Sequence, residues 1–215
     1  IGNGAYKMHD RFVGELAYGT DTSQQVSNSA MLRMRQEELS DWTLRFSIGL
    51  TYKCADQFSL DLDLNYFERK GWLLHNTDRL MSKYDAGDFQ PRLGMDIFFT
   101  AKQQLRLTVQ WAAIKAEVTD FLVIPEQGGT LVSLEDSNGY IPINSVREDF
   151  ALSRLTSQIR YRWEIGPLSD FFLVYTRGSN LPNRAEESYG ELWEDAISYP
   201  IVDTYVAKLR YRFGN

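Results

Sequence analysis

Trp42-Thr-Leu-Arg-Phe-Ser-Ile-Gly-Leu-Thr-Tyr-Lys53 alternates without a break. Trp42, Leu44, Phe46, Ile48, Leu50 and Tyr52 share one parity; Thr43, Arg45, Ser47, Gly49, Thr51 and Lys53 share the other. Successive side chains of a strand point to opposite faces, so this stretch reads as a strand with one apolar and one polar face. After Cys54-Ala-Asp-Gln57 the pattern resumes, with Phe58, Leu60, Leu62, Leu64 and Tyr66 alternating with Ser59, Asp61, Asp63 and Asn65. Both strands carry aromatics near their ends and aliphatics between. A lipid-facing band between two aromatic girdles has this composition.

Six more segments follow the same rule less cleanly. They are Phe12–Tyr18, Pro91–Ala101, Leu105–Ala113, Leu155–Ile165, Phe171–Arg177 and the terminal Ile201–Phe213. The connections at 54–57, 102–104 and 166–170 are short, whereas those around 20–40, 68–88, 117–150 and 178–199 are long. Short turns at one end and long loops at the other suit an outer-membrane barrel better than a sandwich or a lipocalin-like barrel. Met31-Leu-Arg-Met-Arg-Gln-Glu-Glu-Leu39 reads as an ordered loop. The expectation is an all-β, antiparallel, up-and-down transmembrane barrel with eight strands in this chain.

Composition narrows the alternatives. The 215 residues are 24% charged and 13% aromatic, and the mean hydropathy of −0.37 is polar. No run approaches the roughly 18 apolar residues of a spanning helix. A polar average is compatible with a barrel, where only alternate strand residues meet lipid. The net charge of −6 argues against a nucleic-acid partner. Cys54 is the single cysteine and forms no intrachain disulfide. Without a leader-like segment before Ile1, the chain reads as a processed protein or part of a longer one.

The polar face is expected to line the lumen. Its charges are Arg45, Asp61, Asp63, Arg92, Asp96, Arg106, Arg154, Arg160, Arg162, Lys208, Arg210 and Arg212, with Glu15 and Glu164. Such a set either forms a selective constriction or pairs off across strands in a narrow interior. Asp61 and Asp63 lie about 7 Å apart by strand rise, a spacing open to acid–base work, but salt bridges to neighbouring arginines are the expected use. Glu186, Glu187, Glu191, Glu194 and Asp195 form an acidic loop, expected to be solvated rather than bound to Ca²⁺. Trp72, Tyr84, Tyr140, Tyr189, Trp193 and Tyr199 fall in the long loops and are expected to pack those loops together. His9 and His75 are far apart, and Gly128-Gly129 lacks the lysine of a phosphate loop. No metal, cofactor or catalytic residue is expected.

Ser153-Arg-Leu-Thr-Ser-Gln-Ile-Arg-Tyr-Arg-Trp-Glu-Ile-Gly-Pro-Leu-Ser-Asp170, Phe172-Leu-Val-Tyr-Thr-Arg-Gly178 and Val206-Ala-Lys-Leu-Arg-Tyr-Arg-Phe213 carry a resemblance. They resemble the C-terminal outer-membrane barrel of a Gram-negative family of unknown function, commonly fused to a family-9-type carbohydrate-binding module. The strand ending in Tyr211 and Phe213 also resembles the terminal assembly signal of outer-membrane barrels, although Gly214 and Asn215 follow it. The resemblance implies that these residues belong to a larger barrel, whose terminal strand pairs outside them rather than with Phe12–Tyr18. It implies a channel, or an anchor for a glycan-related module, in the bacterial outer membrane. A docking barrel whose external loops bind a partner protein is the alternative. The implied partners are outer-membrane lipid, the barrel-assembly machinery, and a protein or glycan at the loops.

Overall fold

The computed structural model describes residues 5–137 and 149–213. The fold is all-β and antiparallel. Its strands are β1 (Val13–Gly19), β2 (Val26–Gln36), β3 (Trp42–Cys54), β4 (Phe58–Thr77), β5 (Leu80–Thr100), β6 (Gln103–Val123), β7 (Val132–Ser133), β8 (Phe150–Gly166), β9 (Ser169–Asn183) and β10 (Val202–Arg210), with one helix, α1 (Tyr189–Ser198), before β10. Nine strands lie in chain order in one up-and-down sheet, and the short β7 pairs with β6. The sheet is not closed. Among the described residues β1 pairs only with β2, and β10 only with β9.

Four expectations need correction. Val26–Gln36 is a strand rather than a loop, and it lies between β1 and β3. Its central Asn28-Ser29-Ala30 has weak strand propensity, and Met31 blurs the alternation; pairing on both edges overrides both. The long segment 68–88 is a continuation of β4 and β5 into one hairpin, closed at Asp78-Arg79. The apparent loop at 178–199 contains the end of β9 and α1. The strict alternation of short and long connections therefore gives way, and β4, β5 and β6 extend together beyond their pairing with β3 and β8.

Directly opposed residues of antiparallel strands share a face, so the registers define continuous rows across the sheet. One face carries Leu32–Phe46–Tyr66–Phe89–Ala113, then Ile48–Leu64–Pro91, then Leu50–Leu62–Leu93–Val109, then Tyr52–Leu60–Met95–Leu107–Ile159–Tyr175–Tyr205. From Phe58 to Tyr66 this apolar band spans about 27 Å along the strand. Much of it is uncovered: Ile48 is 60% exposed, and Leu16, Phe46, Leu50 and Leu209 are also exposed.

The polarity of both faces then reverses. Beyond Tyr66 and Phe89 the same face carries Glu68, Asp85, Lys115 and Glu117. The opposite face, polar below, becomes apolar: Tyr84, Ala86 and Ala116 are buried with Trp72, Leu74, Val118 and Phe150 packed on them. The Tyr84 and Phe150 rings meet edge to face at 5.3 Å. A positive φ of 68° at Gly71 accompanies the register shift between Arg69 and Trp72 that keeps Trp72 on this side.

Helix α1 covers the top of the apolar band. Ser188 caps it, its side chain accepting from the Glu191 N–H while Glu191 returns to the Ser188 backbone. Leu192 and Ala196 are buried against Trp111, Ala113, Ala151 and Leu155. Trp111 Nε1 donates to Ser153 Oγ at 2.9 Å, and Ser153 donates to the Leu192 carbonyl at 2.8 Å. The Arg177 guanidinium donates to the Ile197 carbonyl at the other end, where a cation complements the helix dipole. Leu192→Ala should therefore cost about 2–5 kcal/mol. Thermal unfolding will report the loss, and limited proteolysis should begin within residues 184–199.

Candidate functional site

The polar face gathers many of the chemically useful side chains among the described residues. The registers place Arg45, Asp61, Asp63, Arg92, Asp96, Arg106, Arg160, Arg162, Lys208 and Arg210 on it together. Arg212 continues the parity of Arg210 just past the end of β10, and its N–H donates to Ser169 Oγ at 3.1 Å. Along the lower edge several charges pair. Asp96 accepts from Arg106 at 2.8 Å and from Gln104 at 2.9 Å. Buried Asp170 holds Arg162 at 3.0 Å and also Arg210. Opposite charges placed across strands in this way support the sheet.

The middle rows behave differently. Asp61 accepts only from Thr51 Oγ1, at 2.7 Å, and Asp63 faces Arg92 in register without an ion pair. The expected arginine salt bridges to these two carboxylates do not form among the described residues. Two clefts open here. The larger, about 450 Å³, is lined by Asn65, Gln90, Pro91, Arg92, Gln110 and Arg154, among others. Pro91 explains its position. With no N–H to donate, Pro91 interrupts the β5–β6 ladder, which is paired at Phe89–Ala113 and resumes at Arg92–Gln110.

The second cleft, about 240 Å³, is lined by Arg33, Arg35, Thr43, Arg45, Phe67 and Arg69. Arg33, Arg35 and Arg69 escaped the sequence reading: the first two lie on the unrecognised β2, and the third on the part of β4 read as loop. The signal was present as Arg33-x-Arg35, in phase with the alternation of Val26–Gln36. Arg33, Arg35 and Arg69 each reach a carboxylate, at Glu15 (3.9 Å), Glu37 (2.7 Å) and Asp88 (3.0 Å). Arg45 instead donates to Asn65 Oδ1 at 2.8 Å and Ser47 Oγ at 3.1 Å, and lies 5.0 Å from the Phe67 ring centroid.

The remaining candidates disperse. Among the described residues no group of three or more His, Cys, Asp and Glu could hold a metal ion. In the acidic loop, Glu191 belongs to the helix cap, while Glu187 and Asp195 accept from Asn183. Trp72 and Tyr84 lie in strands, Trp193 packs on Trp111 at 5.2 Å, and Tyr189 meets Phe89 at 6.2 Å. Tyr140 lies outside the described residues. Cys54 is exposed at the end of β3, and His75 contacts the Asp78 carbonyl at 2.9 Å.

Above the apolar band, Glu68, Lys70, Asp85, Lys115 and Glu117 line a charged cleft of about 250 Å³. Burial alone would raise the Asp85 pKa, but hydrogen bonds from Lys70 and the Gly71 N–H, with the charges of Lys70 and Lys83, bring it below its ordinary 3.8. A carboxylate with a lowered folded pKa stabilises fully above the unfolded value, and that stability is lost as pH falls through the folded value. Thermal midpoints should therefore fall on acidification below about pH 4. In Asp85→Asn the midpoint should be lower at neutral pH and the acid decline shallower.

No curated protein and no solved structure matches the chain. No helix among the described residues is long and apolar enough to cross a membrane. A family model does match, over residues 2–213, and on that match the chain belongs to the family described as a domain of unknown function, DUF5916.

Proposed function

We propose that this chain forms part of the wall of an outer-membrane β-barrel whose polar face lines a solute-conducting lumen. The observation that carries the reading is the bounded apolar band. Its exposed Ile48, Phe46 and Leu50 face away from Arg45, Ser47 and Thr51. It ends at Glu68 on β4 and Lys115 on β6, either side of Gly87 on β5. On strands tilted by about 35–45°, its length of about 27 Å along the strand gives a belt about 20 Å tall, slightly under the roughly 25 Å of outer-membrane barrels.

A conducting lumen is favoured over a plugged one by the middle of the polar face. A barrel of eight strands is filled by its own side chains, and charges in so narrow a space need partners. Here Arg92, Arg154 and Asp63 have no counter-charge within 4 Å among the described residues. The sheet also leaves β1 and β10 with free edges, which barrels remove by further pairing. Strands beyond these residues would close it, and the resulting barrel would serve in the bacterial outer membrane, with lipid and the barrel-assembly machinery as partners. Tethering a glycan-related module is compatible with that role.

A second reading has its own observation. Ile197 and the C-cap Tyr199 stand exposed at the end of α1, and Trp193 keeps part of its surface open while packing on Trp111; aromatic anchors of this kind suit a docked protein. A docking barrel would then present α1 to a partner in the envelope.

Reconstitution of the native protein into planar bilayers separates the two. A channel gives stepwise conductance; a silent bilayer, together with a stable complex that Trp193→Ala dissolves, favours docking. Ile48→Arg should destabilise the membrane-folded protein by about 2–4 kcal/mol, as at a bilayer midplane, whereas Ser47→Arg should be far milder. Replacing Tyr211 and Phe213 with Ser should lower the folded, heat-modifiable yield in cells. Their rings pack 4.9 Å apart and stand exposed just past the end of β10.

A further inference from the structure

We infer that the cleft formed by Arg33, Arg35, Arg45 and Arg69 over Phe67 is a binding site for a multiply charged oxyanion of the phosphate type. Four guanidinium groups from three strands converge on one cleft of about 240 Å³. Arg33 and Arg45 are direct partners across β2 and β3, where like charges oppose one another. Three carboxylates answer three of the arginines, and the Arg33–Glu15 contact is long at 3.9 Å. Arg45 is left with neutral acceptors and an aromatic face that it shares with Arg69, each 5.0 Å from the ring centroid.

A second observation points the same way. The Nε groups of Arg35 and Arg69 are buried and meet no hydrogen-bond acceptor among the described residues. Buried donors are ordinarily paired. Planar guanidinium forks match tetrahedral oxyanions in a bidentate manner that ammonium groups do not. An anion here would relieve the Arg33–Arg45 repulsion as it binds, so the folded protein should be stabilised by it through mass action.

A purely structural role for the cluster predicts the opposite. Its arginines would be as content without an anion as with one, and nothing saturable would be seen. The inference deepens the channel reading by naming a solute class. It rests on that reading for the anion's route to the cleft, while binding can be measured without conductance.

The test is thermal unfolding and calorimetry of the native protein in zwitterionic detergent, with sodium pyrophosphate against sodium chloride at equal ionic strength. The expected result is a saturable rise in midpoint with pyrophosphate beyond that with chloride. Arg45→Gln should weaken binding about tenfold or more, the scale of one lost charged hydrogen bond. Arg45→Lys, which keeps the charge and loses the fork, should fall between. Arg106→Gln, in the lower rows, should bind as the wild type does. Stabilisation by micelles doped with phosphatidic acid, a phosphomonoester, in place of pyrophosphate, abolished by Arg45→Gln, would assign the phosphate to a lipid headgroup and keep the oxyanion site. Pyrophosphate and doped micelles both acting no differently from chloride, or Arg45→Gln binding as tightly as the wild type, would overturn the inference. A bilayer that conducts while no anion binds would overturn it and leave the channel standing.

Discussion

A single sheet that, among the described residues, only α1 partly covers has two faces to reconcile with its surroundings, and here that constraint organises the rest. Burying apolar area is the main driving force available to a fold. In rows such as Leu50–Leu62–Leu93–Val109, a strand would in water offer much of that area to solvent. The chain accommodates this by reversing polarity along each long strand. Below Tyr66 and Phe89 the apolar side is the open one; above them it is the side packed around Tyr84 and Ala116. A small apolar core thus sits at one end of the molecule, while the uncovered apolar band occupies the other. Helix α1 bridges the two regimes, covering the band's upper rows with Leu192 and Ala196.

The candidate site follows from the same pattern. Strand parity that sends Ile48 and Leu64 to one face sends Arg45, Asn65 and Arg92 to the other. Some opposite charges that fall in register pair, as Asp96 and Arg106 do, whereas Asp63 and Arg92, also in register, do not. Where they do not, clefts remain. The larger cleft follows from Pro91, which cannot donate to the ladder, and the arginine cleft from Arg33 opposing Arg45. Both arise from local sequence acting within an extended register, and neither needs a loop to shape it.

Much of this was legible because period-two alternation is a backbone consequence. Trp42–Lys53, Phe58–Tyr66 and the tail with Tyr205 and Leu209 could be assigned to a face from parity alone. Three features were not legible, each for a physical reason. The weak propensity of Asn28-Ser29-Ala30 concealed β2, which is secured by neighbours on both edges. The reversal of polarity in 68–88 looked like a loop, because its outward face carries Glu68, Lys70 and Asp85 and its apolar residues change sides at the Gly71 bulge. Short acidic α1 lacked the length for a clear helical period, although Ser188 and Glu191 stood at capping-box spacing. The site was partly visible for the same reason: Arg45 and Arg92 sit on clean strands, whereas Arg33, Arg35 and Arg69 sit where the strand pattern was obscured.

The central claim is that the uncovered band is the surface that meets lipid. Spin labels at Ile48 and, in a second variant, at Ser47, both with Cys54→Ser and reconstituted in bilayers, test it most directly. Lipid contact requires the label at 48 to collide readily with oxygen and poorly with a water-soluble nickel chelate, and the label at 47 to show the reverse. Chelate access at 48 together with oxygen preference at 47 would place the arginine face in lipid and contradict the claim.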